Sequence, residues 1–118
     1  MKWDNKEPCR SCPYRKDVRT EYWAREEYEG LLEQDADPIM GAVFGCHQTR
    51  KLPEPSICAG WLLDQKNRDI PSIQLRLHLI RNKDAVDCFD QVSDGGHELY
   101  GSIKEMVRAN YPELLEDE

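Results

Sequence analysis

Apolar residues recur at helical spacing near both ends of the chain, and most of their neighbours are charged or polar. Spacings of three and four residues place side chains on one face of an α-helix, whereas strict alternation indicates a strand. We therefore predict a first helix over residues 21–34, with Thr20 as its N-cap, and a last helix over residues 97–109. The two apolar faces consist of Ala24, Tyr28, Leu31 and Leu32, and of Leu99, Ile103, Met106 and Val107.

The segment 71–82 has an ambiguous pattern. Its apolar residues alternate as in a strand, but some of them also match a helical face. Pro71 followed by Ser72 is typical of a helix start, so we predict a helix here. A further short helix, carrying Cys88, is predicted over residues 84–92.

The segment 38–57 is rich in glycine and proline and is predicted to be a loop. Its apolar run, Ala42-Val43-Phe44, is predicted to be a short strand or an extended segment. Ser56 is expected to cap a short helix that begins near Ile57 and presents Cys58 from its first turn. The predicted fold is mainly α: a small domain of about four helices with irregular metal-binding loops and at most a minor sheet.

Length and composition favour one domain over residues 1–118, with residues 113–118 as a frayed acidic tail. The chain has no run of about 18 apolar residues, so no membrane span is expected. The first residues lack the apolar region of a signal peptide, so a cytoplasmic location is predicted. Disulfides are rare there, and five cysteines are an odd number.

Four of the cysteines form the strongest chemical signal. Cys9 and Cys12 form a C-x-x-C pair, and Cys46 and Cys58 follow as single residues. One tight turn can bring two thiolates to the same metal, and two more soft ligands complete a tetrahedral sulfur site. We predict that these four cysteines bind one metal. Small buried residues or a redox C-x-x-C pair are the alternatives.

The identity of the metal stays open between two candidates. Zinc suits four thiolates in a structural role and is slightly preferred. A [4Fe-4S] cluster also takes four cysteines, and it is favoured by Pro13 after Cys12 and by the small Ala59-Gly60 after Cys58. His47 could replace one cysteine as a zinc ligand, but a supporting role beside Cys46 is preferred.

The net charge of −7 is unevenly distributed. Residues 1–20 carry +3 and residues 50–83 carry +4, whereas residues 21–49 carry −6 and residues 84–118 carry −8. A four-thiolate site with a divalent metal has a formal charge of about −2, which nearby cations could offset. The candidates are Arg10, Arg15, Lys16, Arg50 and Lys51, with ordinary surface charge as an equally favoured alternative.

The remaining candidate groups have structural interpretations. Cys88 is expected to be a small buried residue rather than a nucleophile. His78 is expected to pack and His97 to lie on the surface. Six aromatic residues crowd the first half of the chain: Trp3, Trp23, Trp61, Tyr14, Tyr22 and Tyr28. With Arg10, Arg15 and Arg50 they could form a nucleic-acid surface, but packing around the metal is preferred.

Three short motifs carry a resemblance to a known group of proteins. Cys9-Arg10-Ser11-Cys12-Pro13-Tyr14-Arg15, Cys46-His47-Gln48-Thr49 and Cys58-Ala59-Gly60 resemble, in this order, a family of short uncharacterised proteins from bacteriophages and their bacterial hosts. Tyr14 stands where tryptophan is more usual in that family. The resemblance covers about residues 9–80 and implies a phage-type accessory protein with a shared four-cysteine site. A weaker likeness to WhiB-type iron–sulfur regulators rests on C-x-x-C-P and Gly60-Trp61, but the cysteine spacing differs.

Three functions are compatible with these features. The preferred one is a non-enzymatic, metal-stabilised accessory or regulatory module whose acidic helices, especially residues 97–109, contact a protein partner. The second is an iron–sulfur redox or sensor protein. The third is a nucleic-acid-associated factor that uses the basic, aromatic half of the chain. No phosphate-binding glycine loop or hydrolase motif is present in the sequence.

Overall fold

The computed structural model describes residues 1–36, 43–46, 48–49, 51–68 and 71–115. Within these ranges it contains five α-helices, isolated β-bridges and no strand, so the mainly α prediction is confirmed. The elements are α1 (Arg25–Ala36), α2 (Ala59–Lys66), α3 (Ile73–Arg81), α4 (Lys83–Gln91), α5 (Ile103–Asn110) and a closing 3-10 helix (Pro112–Leu115). None of the described helices is long and apolar enough to cross a membrane.

The core lies where the helices pack in pairs. α5 packs against α1 and the 3-10 helix, and α4 packs against α2 and α3. In the first predicted face, Tyr28 and Leu31 are buried and Leu32 is partly buried, whereas Ala24 precedes α1 and is exposed. The other large side chains with almost no exposure are Trp61, Tyr14, Ile57, Leu62, Leu75, Ile103, Met106 and Val107.

Side-chain caps determine where three of the helices begin. Ser72 Oγ accepts a hydrogen bond from the Leu75 N–H at 3.2 Å, and Ser102 Oγ accepts one from the Glu105 N–H at 3.1 Å. Asn82 ends α3 and caps α4 through Oδ1, which accepts from the Asp84 N–H at 2.9 Å. These caps satisfy N–H groups that a helix start leaves unpaired. The helix prediction for residues 71–82 is confirmed over the strand alternative.

The first helix begins four residues later than predicted, at Arg25, and the last helix, predicted from residue 97, begins six residues later, at Ile103. Glu21 adopts a left-handed backbone conformation, with φ of +60°, which is incompatible with a helical first turn after Thr20. The N–H of Glu21 instead donates to Asn110 Oδ1 of α5 at 2.8 Å. A contact between distant parts of the chain therefore overrides the local capping signal.

Asn110 is a buried hydrogen-bonding hub between α5 and the start of the chain. Its Oδ1 accepts from the Glu21 N–H and, at 3.2 Å, from the Tyr28 hydroxyl. Its Nδ2 donates to the Met106 carbonyl at 2.8 Å. Because burial makes unpaired polar groups costly, this one side chain stabilises the approach of α1 to α5.

Replacing Asn110 with alanine should lower the free energy of unfolding by about 3 kcal/mol, because it leaves the Glu21 N–H and the Tyr28 hydroxyl unpaired. Tyr28→Phe is the graded control: it removes one hydrogen bond and should cost about 1 kcal/mol. Urea denaturation measures both values. Equal losses for the two variants would contradict the hub.

Candidate metal centre

The first two cysteines lie in consecutive tight turns at the start of the chain. The Cys12 N–H donates to the Cys9 carbonyl at 3.0 Å, and the Arg15 N–H donates to the Cys12 carbonyl at 3.1 Å. Cys12 is buried, with 2% of its surface exposed, and Cys9 is partly buried. The C-x-x-C pair thus has the compact backbone that two ligands of one metal require.

Backbone pairing places Cys46 beside Cys58. The Cys46 N–H donates to the Ser56 carbonyl at 2.7 Å, and the Cys58 N–H donates to the Phe44 carbonyl at 3.0 Å. In the segment predicted to be a short strand or an extended segment, Ala42 lies outside the described residues, and Val43 and Phe44 form no strand. The antiparallel bridge lies one residue later, between Gly45 and Ile57.

Cys58 precedes α2 rather than lying in its first turn. It is the N-cap residue, and its Sγ accepts the Trp61 N–H at 3.5 Å. The predicted start near Ile57, with Ser56 as cap, is therefore wrong. Ser56 and Ile57 belong to the extended bridges, in which the Ile57 N–H donates to the Lys2 carbonyl at 2.8 Å.

The structure brings all four predicted cysteines into a continuous series of thiol contacts. Cys46 Sγ lies 3.9 Å from Cys9 Sγ, although 37 positions separate the two residues in the chain. Cys12 lies close enough to both Cys9 and Cys58 for these thiols to affect its pKa. All of these thiols are free of disulfides. As placed, no three His, Cys, Asp or Glu side chains in the described ranges form a group that could hold a metal ion.

Proximity to another thiol disfavours the ionisation of Cys9, Cys12 and Cys46. The pKa of Cys12 lies well above its ordinary value because of the hydrogen bond with Cys58 and because of burial. The pKa values of Cys9 and Cys46 are raised by hydrogen bonds with Cys12 and Cys9, respectively, and by burial. A bound divalent cation reverses this preference, since a coordinating thiol is deprotonated.

Gly60 allows α2 to approach the C-x-x-C turn. A Cβ atom at this position would lie 2.8 Å from Cys12 Sγ and 2.8 Å from Tyr14 Cδ2. On sequence alone, the small residues Ala59 and Gly60 are expected to leave room for a bulky iron–sulfur cluster. In the structure, the Cys12 thiol and the Tyr14 ring fill the space beside Gly60. Tyr14 is fully buried, and its hydroxyl has no hydrogen-bond partner among the described atoms.

Arg15 is a predicted cation that contacts the C-x-x-C turn. Its Nη1 donates to the Cys9 carbonyl at 3.4 Å. The guanidinium pKa is raised chiefly by the hydrogen bond with Asp17 and, to a lesser degree, by the charges of Cys12 and Cys9. Lys16 instead pairs with Glu98 and Glu105. Lys51 is exposed, and Arg50 lies outside the described residues.

The other predicted groups lie apart from this centre or outside the described ranges. Cys88 is fully buried and its Sγ donates to the Asn5 carbonyl at 3.3 Å, which confirms the packing role. His78 packs against Trp3 with ring centroids 5.3 Å apart, as predicted. His97 is partly exposed, with Nδ1 4.0 Å from Asp17 Oδ2. His47, the alternative ligand, is not among the described residues.

Most of the clustered aromatic residues belong to the core. Trp3, Trp61, Tyr14 and Tyr28 are buried, which confirms that these four pack in a core; that they surround a metal stays a prediction. Tyr22 is the exception: half of its surface is exposed. Sequence patterning could not separate it from the others, since its exposure depends on the left-handed residue before it.

Comparison with known proteins yields a family match over residues 4–117. No curated protein and no solved structure matches the chain. The match covers all four cysteines and all five helices, so the thiol cluster lies inside the region that defines the family.

Proposed function

The chain belongs to DUF6283, a family of unknown function, and we propose that it is a small accessory protein whose fold is stabilised by one structural zinc ion on Cys9, Cys12, Cys46 and Cys58. The observation that carries this proposal is the convergence of thiols from three separate segments. A core of this size gains little from burying free thiols together, whereas metal binding contributes directly to folding free energy.

The spacing of the sulfur atoms supports a single ion. Tetrahedral zinc with Zn–S bonds of about 2.3 Å places its sulfur ligands about 3.8 Å apart. The Cys9–Cys46 distance of 3.9 Å agrees with that value. In a four-iron cluster each thiolate binds a different iron, so the sulfurs must lie farther apart. Zinc binding here requires the linear series of thiols to close, with Cys46 and Cys58 turning toward the Cys9–Cys12 pair.

Elemental analysis of anaerobically purified protein tests this proposal. We expect one zinc per chain in a colourless protein, because a closed four-thiolate site holds zinc without redox chemistry. A brown protein with iron, sulfide and broad visible absorption would replace zinc with the [4Fe-4S] alternative. Protein that folds cooperatively and contains neither metal would refute the four-cysteine site itself.

The proposal includes a protein-interaction role in a phage-type setting, which the motif resemblance favours. The predicted partner surface was the acidic last helix, but Glu105 of α5 pairs with Lys16. α4 offers a better surface, because Asp84, Asp87 and Asp90 are all exposed and form no salt bridge among the described residues. A basic partner is therefore expected. It should co-purify with the wild type and be lost from Asp84→Lys/Asp87→Lys protein that keeps its zinc.

A further inference from the structure

A groove of about 410 Å³ lies beside the cysteine cluster. Ser11, which stands between Cys9 and Cys12, forms part of its wall, and Gln48, two residues after Cys46, forms another part. The two side chains are joined by a hydrogen bond from Gln48 Nε2 to Ser11 Oγ at 2.5 Å. The groove is thus built on the two loops that carry the proposed metal ligands.

An aromatic ring is held open to solvent at this groove. Tyr22 is half exposed and lies edge-on to Trp23, with ring centroids 5.2 Å apart. Trp23 is anchored to the C-x-x-C loop, because its Nε1 donates to the Ser11 carbonyl at 2.6 Å. On the N-terminal side of Tyr22, the backbone of Glu21 is left-handed, and its N–H donates a hydrogen bond to Asn110 Oδ1. Non-glycine residues in the left-handed region, such as Glu21, cluster at ligand-binding and active sites.

Two arginines beside this ring have uncompensated charge. Arg10 and Arg19 line the groove, and neither forms a salt bridge within the part of the chain that the structure describes. The Arg19 guanidinium lies 6.0 Å from the centre of the Tyr22 ring. Asp17 also lines the groove, but its carboxylate is bound by the Arg15 guanidinium through two hydrogen bonds. The groove therefore has a net positive character although the whole chain is acidic.

We propose that this groove binds single-stranded nucleic acid. An unpaired base stacks on Tyr22, and the adjacent phosphates contact Arg10 and Arg19. An acidic peptide would use the two cations but would leave the exposed ring without a partner, and a duplex keeps its bases stacked inside. The chain's excess acidity lies in residues 21–49 and 84–118, outside the segment that supplies both arginines. The site rests on the proposed function, because the metal-binding loops form its wall.

The test is fluorescence anisotropy of a labelled oligothymidylate of about ten nucleotides, titrated with zinc-loaded full-length protein at low salt. Tyr22→Ala should weaken binding about tenfold through loss of stacking, and Tyr22→Phe should retain it. Arg10→Ala/Arg19→Ala should also weaken binding about tenfold. It should lower the slope of log affinity against log salt by about 1.4, since two phosphate contacts disappear. The matched control, Arg76→Ala/Arg81→Ala on α3, removes two exposed arginines and should change neither property by as much.

Three outcomes would refute the proposal that this groove binds single-stranded nucleic acid. Absence of binding by the wild type, equal losses in the control, or equal affinity of Tyr22→Ala and wild type would each do so. Tighter binding of a polyglutamate peptide, with Tyr22 dispensable, would assign the site to acidic proteins instead. Zinc content is measured on every sample, so the two proposals can fail separately. If the protein contains one zinc per chain but does not bind the oligonucleotide, only the proposed nucleic-acid site is refuted. If metal-free wild-type protein binds the oligonucleotide and Tyr22→Ala weakens that binding, only the zinc site is refuted.

Discussion

Cys12→Ser protein should lose its metal and fail to hold its fold. The thiols of Cys9 and Cys58 both affect the pKa of Cys12, so Cys12 lies between the two halves of the cluster. Structural zinc sites contribute about 10–16 kcal/mol at neutral pH, and the whole stability of a domain is about 5–15 kcal/mol. We therefore expect less than a tenth of the wild-type zinc content, loss of the cooperative thermal transition and loss of far-ultraviolet helical signal.

Cys88→Ser is the matched control for this experiment. It makes the same chemical change at a buried cysteine that lies outside the cluster and donates to the Asn5 carbonyl. A serine hydroxyl can donate to the same carbonyl, so the expected cost is about 1–2 kcal/mol with full zinc content. If Cys12→Ser and Cys88→Ser proteins show the same metal content and the same melting temperature, the four-cysteine site is wrong.

Gly60→Ala should destabilise the protein by about 2 kcal/mol or more, although alanine is the better helix former. The added Cβ would lie 2.8 Å from Cys12 Sγ, 2.8 Å from Tyr14 Cδ2 and 2.9 Å from Tyr14 Cβ. Overpacking of this kind costs about 1–3 kcal/mol. Tyr14 is fully buried, and in the zinc proposal Cys12 is held by metal, so neither neighbour can move away freely. Denaturant unfolding measures the loss, and competition with a chelator should show weaker zinc binding.

Gly30→Ala provides the opposite expectation in the same chain. Gly30 lies inside α1, and an added Cβ would meet no heavy atom within 4 Å. Alanine there should stabilise the protein by about 1 kcal/mol, because only the helix propensity changes. If Gly60→Ala protein were instead as stable as the wild type, or stabilised like Gly30→Ala protein, the close approach of α2 to the C-x-x-C turn would be contradicted.

The four cysteines of the candidate site could be proposed from the sequence, but the way in which they approach one another could not. The C-x-x-C spacing of Cys9 and Cys12 indicates a pair of metal ligands, whereas only their residue type connects Cys46 and Cys58 with that pair. Their approach depends on hydrogen bonds between the backbones of residues 44–46 and 56–58, which leave no local signature in the sequence. Gly60 was noted for its small size, but the structure assigns its space to Cys12 and Tyr14.

The groove could not be predicted from the sequence. Tyr22 and Trp23 are adjacent aromatic residues, yet one is half exposed while the other is tied to the Ser11 carbonyl. The difference follows from Glu21, whose left-handed backbone depends on a residue 89 positions away. Composition showed a basic, aromatic first segment but could not show which ring reaches solvent.

By itself the sequence determined the mainly helical fold, the starts of α3 and α4 to within about two residues, and the burial of most of the two apolar faces, although Ala24 is exposed. These features depend on side-chain periodicity and on caps that act within a few residues. Only the tertiary structure decided where α1 begins, that Cys58 caps α2, and that thiols from three segments meet. Those outcomes depend on contacts between distant positions, such as Glu21 with Asn110 and Cys9 with Cys46. The free energy of such contacts exists only once the chain has brought its segments together, so no local pattern records them.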